Sequence, residues 1–273
     1  MRLHVPQGTC WMDGRELPPE QAAIPVADPG LQSGLGVFET LAVRQGNLLD
    51  LGAHLERLDS MARALEIPLR PRSELAGVAL ERAARSGLDC GWLKIVATRG
   101  GHCVVFTGPM DPAEEGRPVS AVILPWRRSP RDPLAGLKTL NYAGNQLGLT
   151  WAQRHGADEG IWLNSRGHLA EACSANVFVV RHRRLFTPAA GDGILEGVVR
   201  GLAIRAAREL GLAVHEGRIR LHRLERAHEA FLTSSLRGLR PLVRLGARPL
   251  GRAEPGPVTA LLAAAVRELR GTA

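Results

Sequence analysis

Of the 35 basic residues in this 273-residue chain, only Lys94 and Lys138 are lysine. A guanidinium cannot form a stable imine, so a chain that uses arginine almost everywhere keeps lysine by chance or where a primary amine is required. Two positions therefore compete for carbonyl chemistry. Lys94 lies in the apolar run Trp92-Leu93-Lys94-Ile95-Val96-Ala97, on the face shared with Trp92 and Val96, and reads as an edge-strand or snorkelling lysine. Lys138 lies in GLKTLNYAGN among small and polar residues, and Tyr142, the only tyrosine, follows four positions later. An imine-forming amine needs a depressed pKa or a nearby cation to expose its lone pair, and a phenol can hydrogen-bond a ring oxygen of its partner. Lys138 is the candidate nucleophile, with a surface lysine kept by chance as the plain alternative.

A pyridinium ring withdraws electrons well only while its nitrogen is protonated, which calls for a carboxylate in a largely buried place. Glu171, in HLAEACSANVFVV, stands between a turn and a strand, flanked by small residues that let a flat ring approach. An ordinary solvated glutamate explains the position equally well. A phosphate prefers free N–H groups at a helix start, and GDGILEGVVRGLAI offers a glycine-punctuated entry to a helix with Val198 and Val199 in its first turn. Glycine before a helix is more often just a turn. Arg57, Ser234 and Ser235 could complete such a site.

These residues need elements to hold them. Leu51, Leu55, Leu58, Met61 and Leu65 recur at helical spacing with Pro68 beyond, which places Arg57 on a helix over 51–66. A second helix is read over 76–87, and strands over 92–97 and 119–124. The Arg/Pro-rich stretch that follows is a connector, so the chain divides into a domain of residues 1–126, a connector 127–136 and a domain 137–273. Beyond it come a helix near 144–154, strands near 159–163 and 177–181, and a hairpin turn at Arg181–Arg184. A helix over 197–210, with Val198, Leu202, Ala206 and Leu210 on one face, and a final helix over 257–270 complete an α and β mixture.

Composition narrows the function classes. The net charge of +8 raises nucleic acid as a partner, but the basic residues are scattered and aromatics for base stacking make up only 4 %, so an arginine-rich surface is the better reading. No run of eighteen apolar residues and no leader-like start occurs, so a soluble cytoplasmic protein with no membrane partner is expected. Cys10, Cys90, Cys103 and Cys173 lie far apart without metal-ligand spacing, so neither disulfides nor a metal are expected.

Taken in order, GVFETLAV, HLERL, LKTLNY, EACSANVFVV, GILEGVVR and FLTSSLRGLRPL resemble the class IV aminotransferases, pyridoxal 5'-phosphate (PLP) enzymes of fold type IV, the D-amino acid aminotransferase-like fold. The resemblance implies an α/β (α+β) fold with a small N-terminal α/β domain and a larger barrel-like PLP-binding domain, usually in a homodimer. Position by position, it implies that Lys138 carries the cofactor as a Schiff base and that Glu171 partners the pyridine nitrogen, with Asn176 nearby. Arg57 and the Val198 and Val199 amides resemble the phosphate site, Ser235 the hydroxyl that assists it, Leu195 the residue packed on the ring, and Tyr142 the tyrosine on the phenolic oxygen. The chain departs from the family at Val199, where GITR is common and a threonine hydroxyl is lost while the backbone N–H stays. It also runs Gly100-Gly101-His102 where many members carry a second arginine after TRG.

PLAGLKTLN and FLTSSLRGLRPL look most like 4-amino-4-deoxychorismate lyases, which release pyruvate and form p-aminobenzoate for folate synthesis. The alternative is an aminotransferase acting on D-amino or branched-chain amino acids with a 2-oxo acid acceptor. Either takes a small-molecule amino substrate, for whose carboxylates Arg99 and Arg237 are the candidate anchors, with Leu236 as a further candidate substrate contact. Borohydride reduction of the PLP-loaded protein, followed by peptide mapping, should place the label on Lys138; a label elsewhere would remove that residue from the chemistry.

Overall fold

The computed structural model describes residues 5–251 and 254–271. They form two units, one of the residues up to Pro112 with Leu137–Tyr142, the other of Ala113–Gly136 and the residues from Ala143 on. The segment carrying Lys138 thus belongs to the first unit, and the strand Val119–Arg128 to the second.

The first unit contains β1 (Cys10–Met12), β2 (Arg15–Leu17), α1 (Pro29–Ser33), β3 (Gly36–Arg44), β4 (Asn47–Leu48), α2 (Leu51–Ala64), α3 (Arg72–Arg85), β5 (Cys90–Thr98) and β6 (Cys103–Pro109). Among the described residues its sheet has six strands in the order β2-β1-β6-β5-β3-β4. Alternation sorts the two faces: Val37, Leu41, Val43, Leu93, Ile95 and Ala97 pack with Leu55, Leu58 and Met61 of α2 and Leu75, Ala79 and Ala83 of α3. Phe38, Thr40 and Lys94 point from the other face. The edge-strand reading of Lys94 is corrected here, because β5 lies between β3 and β6 and the lysine is half-buried in a sheet interior. Period-2 alternation reports which residues share a face and carries no information on a strand's place in the order. The second helix begins four residues before its expected start, since the apolar pattern begins only at its first buried turn.

The second unit contains β7 (Val119–Arg128), α4 (Ala143–Arg154), β8 (Glu159–Asn164), β9 (Leu169–Ala172), β10 (Asn176–Arg181), β11 (Arg184–Thr187), α5 (Val198–Glu209), β12 (Ala213–Glu216), α6 (Leu221–Glu225), β13 (Glu229–Ser234), β14 (Gly238–Leu245), β15 (Arg248–Pro249) and α7 (Pro257–Gly271). A mixed sheet of nine described strands runs β12-β11-β10-β13-β14-β7-β8-β9, with β15 beside β14. It curls around an interior cluster that includes Ala121, Ile161, Leu163, Val177, Val179, Leu232 and Leu242. Phe178 and Phe231, stacked at 4.8 Å, face the other way against Val199, Ala203 and Ala207 of α5 and Leu262 and Val266 of α7. The buried apolar residues of α5 are therefore Val199, Ala203, Ile204, Ala206 and Ala207, and the expected stripe through Leu210 is corrected: Leu210 is exposed. The hairpin expected at Arg181–Arg184 is present, and His182 and Arg183 take the positive φ values of 48° and 57° that a two-residue turn demands. No element is expected from the sequence in Gly36–Arg44, where a nine-residue strand buries nearly every side chain on both faces.

Candidate active site

In the first unit the lysine segment is fastened to the open edge of β3. Val37 bridges Thr139, the Phe38 N–H donates to the Lys138 carbonyl at 3.0 Å, and the Leu140 N–H donates to the Gly36 carbonyl at 2.9 Å. β4 pairs only with the far end of β3, at Val43 and Arg44, and leaves this stretch free for the segment. The Lys138 N–H donates to the Met61 thioether of α2 at 3.1 Å. With its backbone held, the Lys138 Nζ lies 4.3 Å from the centroid of the Phe38 ring and 5.3 Å from that of Tyr142, and the two rings meet edge-on at 5.3 Å. Phe38 thus joins the two residues that the sequence singled out.

The same phenyl ring receives the other lysine. The Lys94 Nζ lies 4.5 Å from the Phe38 centroid, and Lys94 pairs directly across the sheet with Thr40. Burial pushes the Lys94 pKa below its ordinary value. No carboxylate meets Lys94 among the described residues, and the buried Thr40 hydroxyl has no hydrogen-bond partner there. A half-buried ammonium and an orphan hydroxyl side by side are an unfavourable pair unless an acceptor from outside satisfies them.

Arg57 occupies the helix-facing side of the sheet. Its Nε and Nη2 donate to the two carboxylate oxygens of Glu39 at 2.6 and 2.8 Å, and His54 Nδ1 lies 2.7 Å from Glu39 Oε2. Glu39 and His54 are fully buried, whereas the arginine side chain keeps 15 % exposure. Burial alone would push the Glu39 carboxyl up, but the hydrogen bonds from His54 and Arg57 and their charges outweigh it and hold it at about 2. A fork–fork pair of this kind fixes the guanidinium plane.

In the second unit Glu171 projects from β9, mostly buried, with Arg128 Nη1 donating to Oε1 at 3.1 Å and the Leu195 N–H donating to Oε2 at 2.9 Å. Arg128 also bonds Asn145 of α4 and lies 4.2 Å from the centroid of Trp162. Asn176 Nδ2 donates to the Leu195 carbonyl at 2.7 Å, so Leu195 is gripped on both sides of its backbone. Gly197 follows as the N-cap of α5, without a side-chain cap on the helix, and a Cβ there would collide with Asn176 Oδ1. The N–H groups of Val198 and Val199 open that helix, with Val199 buried and Val198 half-buried. The Ser235 carbonyl accepts from Arg270 Nη2 of α7 at 2.8 Å, which ties down the turn that also carries Leu236. The two arginines considered for substrate carboxylates already face acids: Arg99 meets Glu66 at 2.7 Å and Arg237 meets Glu114 at 3.3 Å.

The sequence pattern of the amino-transferase class IV family matches residues 36–245. The chain belongs to that family. It is 30 % identical, over 95 % of its length and 96 % of the relative's, to a Methanocaldococcus jannaschii protein assigned as a branched-chain-amino-acid aminotransferase. It is 26 % identical, over 86 % of both chains, to the aminodeoxychorismate lyase of Bacillus subtilis. Among solved structures, a branched-chain amino acid aminotransferase from T.th. with pyridoxamine 5'-phosphate superposes with a TM-score of 0.89 at 26 % identity, covering 97 % of this chain and 95 % of that one. This class IV aminotransferase family member is therefore a PLP enzyme with the fold of its relatives. Each unit by itself offers groups of the kind PLP requires: an amine at Lys138 and a guanidinium at Arg57 in the first, and a mostly buried carboxylate at Glu171 and a helix start without a side-chain cap at Gly197 in the second.

Sequence reasoning missed Phe38, Thr40, Glu39, His54 and Arg128. GVFETLAV and HLERL stood out as motifs, but the signal joining Glu39 to His54 and Arg57 is a contact across fifteen and eighteen positions. Glu39 makes a pH prediction. Its folded value lies below the ordinary 4.5, so its stabilising contribution is complete above about pH 4.5 and lost as the pH falls towards 2. Glu39→Gln should cost roughly 3 kcal/mol at neutral pH and flatten the acid limb of the stability curve. Urea unfolding of both proteins between pH 2 and 7 measures this, and parallel acid limbs would refute it.

Proposed function

We propose that this enzyme is a PLP-dependent 4-amino-4-deoxychorismate lyase that releases pyruvate and p-aminobenzoate. The observation carrying this reading is the Thr40–Lys94 pair beside the phenyl ring that Lys138 touches. An aliphatic side chain placed there would strand a half-buried ammonium without a counter-charge, whereas a carboxylate-bearing substrate would satisfy it. Arg99 and Arg237, engaged by Glu66 and Glu114, are the weaker anchors.

On this reading Lys138 holds the cofactor, Glu171 its ring nitrogen and Tyr142 its phenolic oxygen, while Asn176 and Leu195 support the ring. Arg57, the Val198 and Val199 amides and Ser235 hold the phosphate. PLP, when bound, supplies the electron sink. The Lys138 amine removes the proton from the amine-bearing carbon of the substrate, the ether C–O bond to the enolpyruvyl group breaks as the ring becomes aromatic, and the proton passes to the departing enolpyruvate to give pyruvate. A homodimer working in the cytoplasm completes the proposal.

The second reading, an aminotransferase for branched-chain or D-amino acids, is favoured by the 30 % identity to the archaeal relative. The two make opposite predictions. The lyase releases pyruvate and p-aminobenzoate from aminodeoxychorismate with no acceptor; the aminotransferase, given leucine or D-alanine, converts its cofactor to pyridoxamine phosphate and bleaches the visible band. Stoichiometric bleaching with either amino acid and no product from aminodeoxychorismate would reject the lyase. Lys94→Met should raise KM for aminodeoxychorismate by about 10- to 100-fold, the range for one charge-assisted hydrogen bond, with PLP affinity unchanged. An unchanged KM would remove Lys94 from substrate binding.

A further inference from the structure

The second unit holds an ion pair that the cofactor assignments leave unused. Glu159, at the start of β8, and Arg240, in β14, are 2 % and 3 % exposed, and Arg240 Nη2 donates to Glu159 Oε1 at 3.2 Å. Both lie on the sheet face that carries the interior cluster, Glu159 in step with Ile161 and Leu163 and Arg240 opposite Leu232. The same Glu159 oxygen accepts the hydroxyl of Ser174, while Oε2 has no partner among the described residues. The charge of this buried acid is therefore directed at one guanidinium and one serine.

Ser174 lies in the turn between β9 and β10, three residues after Glu171 and two before Asn176. That turn is closed by the Ala172 N–H on the Ala175 carbonyl at 2.8 Å and tied to β8 by the Cys173 N–H on the Gly160 carbonyl at 2.9 Å. Glu171 and Asn176 leave it in opposite directions along the chain and meet again on Leu195, one at its N–H and the other at its carbonyl. A slip of the turn moves both grips together.

We propose that Arg240, Glu159 and Ser174 form a positioning relay that locks this turn and so sets the placement of Glu171 and Asn176 toward the cofactor. The inference rests on the assignment of Glu171 to the ring nitrogen. A buried ion pair adds little to stability compared with apolar residues of the same volume, yet an ionised acceptor holds a hydroxyl more tightly and more directionally than a neutral one. Burial first and then the neighbouring Glu159 charge push the Cys173 thiol up to about 12.

The test uses the full chain stripped of PLP and retitrated with it, following the dissociation constant, the visible band and its pH dependence, and the melting temperature without cofactor. Ser174→Ala and Glu159→Gln should each weaken PLP binding about tenfold, the worth of one net hydrogen bond, and displace the pH midpoint of the band in the direction that Glu171→Gln does. Ser174→Thr, which restores the hydroxyl, should recover both. Ser174→Ala leaves the ion pair in place, should melt within about 3 °C of the parent, and decides the question if Glu159→Gln does not fold. Wild-type affinity and an unaltered band in Ser174→Ala, with Glu171→Gln altered in both, would overturn the relay alone. An unaltered Glu171→Gln would instead sink the assignment of Glu171, and the relay with it.

Discussion

The first unit depends on a short strand-edge pairing. Residues 138–140 take the backbone positions along β3 that β4 leaves open, and the Phe38–Lys138 and Gly36–Leu140 hydrogen bonds set where the lysine side chain begins. An amine on a long flexible stem loses considerable rotamer entropy when it is held in one place. Fixing the backbone first and then offering an aromatic face at 4.3 Å confines that loss to the outer torsions. Phe38 is placed by the same strand, so the ring and the amine share one support.

A second constraint is charge. The chain is rich in arginine, and at three buried or nearly buried carboxylates an arginine supplies the counter-charge: Arg57 at Glu39, Arg128 at Glu171 and Arg240 at Glu159. A planar guanidinium suits this use, since it forms directional bonds and stays charged when desolvated. The geometry differs in each case: the Glu39 pair is bidentate, while Glu171 divides its two oxygens between Arg128 and a backbone N–H. One acid orients a cation and the other is itself oriented.

Lys94 stands apart from this pattern, since no acid among the described residues meets it. Family membership establishes the cofactor and the general chemistry, and relatives with different substrates share them. On the lyase reading proposed above, the polarity offered to the substrate separates those chemistries, and the cross-strand pair of Thr40 with Lys94 supplies it. On the proposed reading, the lysine that looked merely structural is the residue on which the choice of substrate turns.

By itself the sequence determined the residue chemistry and the local elements. Two lysines in an arginine-rich chain singled out position 138, ordered motifs identified the family, and periodicity located α2, α4, α7, β8 and β10, because these signals reside in residue type and near-neighbour spacing. The strand order was not legible, which is why Lys94 read as an edge residue, and β3 went unassigned because burial on both faces leaves no alternation to read. Nor were the contacts of Glu39 with His54 and Arg57, of Arg128 with Glu171, or of Glu159 with Ser174 and Arg240. Each joins residues 15 to 81 positions apart. Only the folded sheets bring such groups together, since hydrogen bonds and burial depend on distance in space, and one sequence carries no record of that distance.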